Sequence, residues 1–115
     1  MNTTIYHNPR CSKSRQTLAL LEENGIKPEV IEYLKTPPSA GELSKIISML
    51  HIKPEGLLRK KEDIFKELSL DLENDQEVIE AMVQHPKLME RPIVVHGSQA
   101  KIGRPPEGVL ELFER

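Results

Sequence analysis

This chain of 115 residues contains one cysteine, no tryptophan, two tyrosines and two phenylalanines. Each scarcity excludes something. A single thiol, Cys11, cannot close an internal disulfide, which removes the disulfide-framed secreted modules. Nor can it build a zinc site from several thiolates. If Cys11 does redox chemistry, its second sulfur must come from another molecule. With so few aromatics the core has to come from Ile, Leu and Val. At 37% hydrophobic and 30% charged, the composition is that of a folding chain and not a disordered one. No apolar run approaches the ~20 residues needed to span a bilayer, so no membrane partner is expected. Met1-Asn2-Thr3-Thr4 lacks the basic and apolar regions of a secretory leader, and a cytoplasmic protein with a reduced thiol is the expectation. The length fits one domain, 1–115.

The net charge of −2 argues against a general nucleic-acid binder. Its distribution is uneven. Residues 1–61 carry ten Lys and Arg against six Asp and Glu, and residues 62–115 carry six against twelve. The first acid is Glu22, so Cys11 lies in a stretch that holds Arg10, Lys13 and Arg15 and no carboxylate. A solvated surface of uneven charge would look like this, and so would an electropositive pocket for a small anion.

Local patterns give an α/β order. Thr3-Thr4-Ile5-Tyr6-His7 reads as a strand, Asn8-Pro9 as a turn, and Ser12–Asn24 as a helix stopped by Gly25. Pro28–Leu34 reads as a second strand, which makes a βαβ unit with parallel strands. After Thr36-Pro37-Pro38, Ser39 and Glu42 form a capping box ahead of a helix with Leu43, Ile46, Ile47 and Leu50 on one side. Helices are expected over 57–69 and 75–85, giving a helical insertion at about 36–88 with no strand in it. Arg91–Val95 and Ala100–Ile102 read as a hairpin across a short link, and 107–114 as a final helix. The sum is a four-stranded sheet, with the insertion between strands 2 and 3.

Cys11 falls at the first strand-to-helix turn. Free N–H groups and the positive end of the helix dipole point there, and with nearby cations they lower a thiol pKa. Ser12 or Ser14 could donate to the thiolate or to a bound oxyanion. His7 could help if protonated. Arg10 and Arg15 are the nearest local cations. A buried, inert cysteine is the alternative reading. A Cys-x5-Arg phosphate loop would need Arg at position 17, where Thr17 stands, and a Cys-x-x-Cys pair would need cysteine at 14, where Ser14 stands. One-cysteine chemistry is what is left. His51, His85 and His96 are scattered, without metal-ligand spacing, and no metal is expected.

Tyr-His-Asn-Pro-Arg-Cys-Ser-Lys-Ser-Arg (6–15), Tyr-Leu-Lys-Thr-Pro-Pro (33–38), Leu-Leu-Arg-Lys (57–60) and Arg-Pro-Ile-Val-Val (91–95) span nearly the whole chain. Together they resemble the glutaredoxin-coupled arsenate reductase family, in its order. Ser12-Lys13 and His96-Gly97-Ser98-Gln99 depart from the family pattern, and the chain is most similar to a short subgroup. The resemblance implies a thioredoxin-like α/β fold with a four-stranded mixed sheet. It also implies a thiolate, Cys11, that attacks arsenate, and three arginines, Arg59, Arg91 and Arg104, that hold the oxyanion. Guanidinium groups suit that task because their planar paired donors stay charged. By the same resemblance His7 and Ser14, with the local cation Arg15, help to activate the thiol, and Pro92 takes the place of the fold's cis-proline. Glutathione would then be the outside thiol, a co-substrate and not a bound cofactor, and glutaredoxin the next reductant. Two other functions share this fold: an Spx-like redox or transcriptional regulator, whose usual Cys-x-x-Cys is interrupted here by Ser14, and a glutathione-dependent oxidoreductase acting on another substrate. No oligomeric state is legible.

Overall fold

The computed structural model describes residues 2–113. Their contacts fall into two compact units, one from Met1–Thr36 with Arg91–Arg115 and one from Pro37–Glu90. The insertion expected at about 36–88 corresponds to the second.

In the first unit a four-stranded mixed sheet has the order β2-β1-β3-β4. Strand β1 is Thr3–His7, β2 is Glu29–Glu32, β3 is Ile93–His96 and β4 is Gln99–Ile102. β1 and β2 are parallel, with Thr4 opposite Glu29 and His7 opposite Glu32. The chain passes between them through helix α1, Ser12–Glu23, as a βαβ unit requires. β3 runs antiparallel to both β1 and β4, and Gly97 takes a positive φ of 61° in the turn of the β3–β4 hairpin. Ile5, Leu21, Val94, Val109 and Leu112 form the core, with Leu18, Ile26 and Phe113 packed against it. α1 ends where Gly25 adopts φ 76°, letting its N–H and that of Ile26 close onto the Glu22 and Leu21 carbonyls.

The helix expected at 107–114 is a 3-10 helix over Pro106–Phe113, and Glu114 lies outside the described residues. Its buried residues, Pro106, Val109 and Leu112, recur every third position. A helix of 3.0 residues per turn stacks such positions on one face, which an α-helix would spread. Gly108 and Val109 are also weak α-helix formers.

The second unit holds α2 (Ala40–Leu50), α3 (Asp63–Leu68) and α4 (Asp75–Gln84). The capping box at α2 is complete: Ser39 Oγ accepts from the Glu42 N–H at 3.1 Å, and Glu42 Oε1 accepts from the Ser39 N–H at 2.9 Å. Leu43, Ile46 and Ile47 of α2 and Val78, Ile79 and Met82 of α4 are buried, and these two helices pack together. The single helix expected over 57–69 is not present. Pro54–Leu57 is a short 3-10 turn, the chain is extended at Leu58 and turns again over residues 59–62, and α3 begins only at Asp63. The cause is long-range: Leu58 bridges Met89, the Arg59 N–H donates to the Leu88 carbonyl at 2.7 Å, and the Glu90 N–H donates to the Leu57 carbonyl at 2.8 Å. Those backbone groups are spent on pairing and are not available to a helix.

Leu21 is fully buried in the first unit. Leu21→Ala should therefore cost about 2–5 kcal/mol of unfolding free energy. Denaturant titration checks this: a wild-type midpoint would show that α1 does not seat its core face as described.

Candidate active site

Cys11 is the N-cap residue of α1, with extended backbone (φ −91°, ψ 123°). Its N–H donates to the Asn8 carbonyl at 3.0 Å, which closes the Asn8–Cys11 turn after β1 and sets the sulfur over the helix start. The residue is 9% exposed. Burial is the largest influence on its pKa and pushes it up. Against it act the backbone N–H of Ser14, the charge of Arg91, the backbone N–H of Lys13 and the charge of Arg104. Together these outweigh burial and hold the thiol below its ordinary value, toward the thiolate.

Arg104, between β4 and the last helix, donates from Nη2 to Cys11 Sγ at 3.6 Å and from Nε to the Arg91 carbonyl at 2.9 Å. One guanidinium thus links the sulfur to the backbone that precedes β3. The Arg91–Pro92 peptide is cis, and so is Arg104–Pro105, which no local signal announced. Gly103 makes this geometry possible. Its N–H donates to the Pro92 carbonyl at 2.9 Å, and a Cβ placed there would lie 2.5 Å from Thr17 Oγ1 and 2.8 Å from Pro92 Cγ. Only a residue without a side chain lets the segment that carries Arg104 lie this close to α1.

Ser14 and Thr17 follow Cys11 at intervals of three and are fully buried polar residues. The Thr17 hydroxyl donates to the Lys13 carbonyl at 2.8 Å. Ser14 Oγ accepts from the Asn8 N–H at 3.0 Å and shares a hydrogen bond of 2.6 Å with His7 Nδ1. Ser14 thus serves the thiol through its backbone N–H, while its hydroxyl ties α1 to the end of β1. His7 is buried, and burial pushes its pKa down; the charge of Glu32 opposes this and that of Arg15 adds to it. The imidazole is accordingly neutral at pH 7, and it reaches the helix start by hydrogen bonding and not as a cation. Arg15 is exposed and donates from Nη1 to the Pro9 carbonyl at 2.9 Å. Its charge bears on His7, whereas the arginines whose charge bears on the thiol are Arg91 and Arg104.

The first unit therefore brings Cys11, His7, Ser14, Arg91, Pro92 and Arg104 into one neighbourhood. Arg59 belongs to the second unit. There its Nη2 pairs with Glu62 at 3.2 Å, its Nε with Glu90 at 3.7 Å, and its Nη1 donates to the Lys87 carbonyl at 3.4 Å. Of the other histidines, His51 caps α2 in the left-handed region, and His96 shares a hydrogen bond of 2.8 Å with Thr3 and meets the Phe113 ring at a tilt of 49°. No group of three or more potential metal ligands gathers among the described residues. The residues that reading the sequence missed are Gly103, Thr17 and Lys13. Gly103-Arg104-Pro105-Pro106 carried the only visible signal, a glycine beside a run that breaks helices.

A family model described as the ArsC family matches residues 6–112. A protein of Escherichia coli K12 named YfgD, described as uncharacterized, is 55% identical over 111 residues, covering 94% of this chain and 93% of its own. An arsenate reductase of Haemophilus influenzae is 50% identical, covering 98% of this chain and 100% of its own. Among solved structures, an arsenate reductase from Vibrio cholerae superposes with a TM-score of 0.91 at 51% identity, over 97% of this chain and 98% of its own.

Two outcomes follow from this geometry. The rate of Cys11 alkylation by iodoacetamide should rise with pH about a midpoint below the ~8.5 of free cysteine, and Arg104→Ala should move that midpoint up. A midpoint at the free value in both proteins would contradict the electrostatics. Gly103→Ala should destabilise by about 1–3 kcal/mol through overpacking, and should also raise the alkylation midpoint because Arg104 is displaced. Calorimetry and the same alkylation profile read the two effects separately.

Proposed function

The chain belongs to the ArsC family, and on that footing we propose that it reduces arsenate to arsenite through Cys11. The observation that carries the reading is the 3.6 Å contact from Arg104 to the sulfur of a thiol whose pKa is held down. A guanidinium in that position stabilises the thiolate before reaction and an oxyanion beside the sulfur during it.

The reaction follows from the chemistry of two thiols. Cys11 Sγ attacks arsenic and forms an S–As bond; one arsenate oxygen takes up protons and leaves as water. Arg91 and Arg104 bear the negative charge of the remaining oxygens, and Arg59 is proposed as the third cation on the strength of the Leu-Leu-Arg-Lys motif. Glutathione then supplies the second sulfur. Arsenic gains two electrons and departs as arsenite, and the two sulfurs lose them in a Cys11–glutathione disulfide. In sum, one arsenate and two thiols give arsenite, one mixed disulfide and one water. A glutaredoxin thiol attacks the glutathione sulfur of that disulfide and releases the Cys11 thiolate for another cycle. His7 acts through the Ser14 hydroxyl to keep the end of β1 and the start of α1 in register under the sulfur. The reaction is placed in the cytoplasm, where glutathione is kept reduced.

Four-component turnover tests this. With glutathione, active glutaredoxin and glutathione reductase supplied, NADPH oxidation should begin on addition of arsenate. It should vanish in Cys11→Ser and fall about 10²–10³-fold in Arg104→Ala, the loss typical of one oxyanion donor. Absence of any arsenate dependence would overturn the reading.

A further inference from the structure

On the β2 side of β1 lies a cleft of about 310 Å³. Its walls are the turn that follows β1 and the turn that follows β2, and its charged lining is Arg10, Glu32 and Lys35. Arg10 immediately precedes Cys11 in the chain, so the lining of the cleft reaches the residue before the thiol. Arg91 and Arg104 stand on the other side, before β3 and after β4. Arg91 and Arg104 thus bear on the sulfur from one flank of β1, and this cleft, whose lining runs as far as the residue before Cys11, lies on the opposite flank.

From these charges we infer that the cleft binds glutathione, the thiol that the proposed reaction requires, so this inference rests on that reading. At neutral pH glutathione carries two carboxylates and one ammonium around an uncharged thiol. The cleft presents the inverse set: two cations, Arg10 and Lys35, and one carboxylate, Glu32. Lys35 Nζ pairs with Glu32 Oε1 at 3.5 Å, but the two side chains are 79% and 42% exposed. Such a surface pair is weak and exchanges readily for ligand charges. The scaffold beneath is fixed. The Lys35 and Thr36 N–H groups both donate to the Glu32 carbonyl at 2.9 Å, and Asn8 Oδ1 accepts from the Arg10 N–H at 3.0 Å. Leu34 adds an apolar wall and is 42% exposed, one of two large hydrophobic side chains so exposed among the described residues. A partly apolar cleft of this volume with a few placed charges is the usual form of a small-ligand site. A small uncharged thiol would enter it but find no ionic partner.

The test separates this cleft from the reaction it serves. S-methylglutathione, which binds but cannot react, is titrated into the ¹⁵N-labelled protein. Amide shifts should appear at Asn8, Arg10 and 32–35, and Lys35→Glu should weaken binding roughly tenfold. In turnover the same variant should raise KM for glutathione roughly tenfold while leaving KM for arsenate and the Cys11 alkylation profile unchanged. Shifts centred on Arg91 and Ile93, or no binding by a protein that turns over with glutathione, would overturn the cleft and leave the proposed reaction standing. Shifts in the cleft from a protein that never reduces arsenate would overturn the reaction and leave the cleft standing.

Discussion

A sulfur taken out of water loses acidity, and everything around Cys11 answers that loss. Burial is the largest single influence on the thiol, and no one group opposite it is as large. The compensation is distributed over two N–H groups at the start of α1 and two guanidinium charges that arrive from beyond the far strands. Thiolate chemistry here therefore depends on the sheet as a whole. α1 supplies its share by local chain geometry, whereas Arg91 and Arg104 supply theirs only when β3 is paired to β1 and β4 to β3.

That dependence explains why polar residues sit where a core would otherwise be apolar. Ser14 and Thr17 are fully buried one and two turns beyond Cys11. Neither is idle: the serine hydroxyl accepts from the Asn8 N–H and joins His7, and the threonine returns its proton to its own helix. The satisfied threonine is what Gly103 packs against. A larger residue at either position would push the Arg104 segment away from the sulfur, so packing and electrostatics are constrained by the same contact.

The sequence showed the strands and the turn at Cys11 because their signals are local: β-branched runs, Asn-Pro, and a helix closed by glycine. It did not show what depends on partners far along the chain. The extended segment at Leu58 exists because Met89 bridges it. The final helix is 3-10 because Pro106, Val109 and Leu112 all face inward, and a period of three read over so few residues also passes for α. At the site, Cys11 was legible from charge and helix position, while Arg91 and Arg104 came only through resemblance. His7 was read as able to help if protonated, and the burial that lowers its pKa is a tertiary fact that the sequence does not carry. Gly103 showed only as a glycine beside a helix-breaking run, because an absent side chain has meaning only beside the atoms that would strike it.

The contact between Arg104 and the sulfur also acts as a ruler. The guanidinium is planar, and with Nε committed to the Arg91 carbonyl and Nη2 to Sγ its plane cannot swivel. Its outward N–H groups therefore fix where an incoming oxygen must lie relative to the nucleophile. An oxyanion brought to this sulfur would meet donors whose direction is already set, so under the proposed reaction its bond length and coordination shape would count as well as its charge.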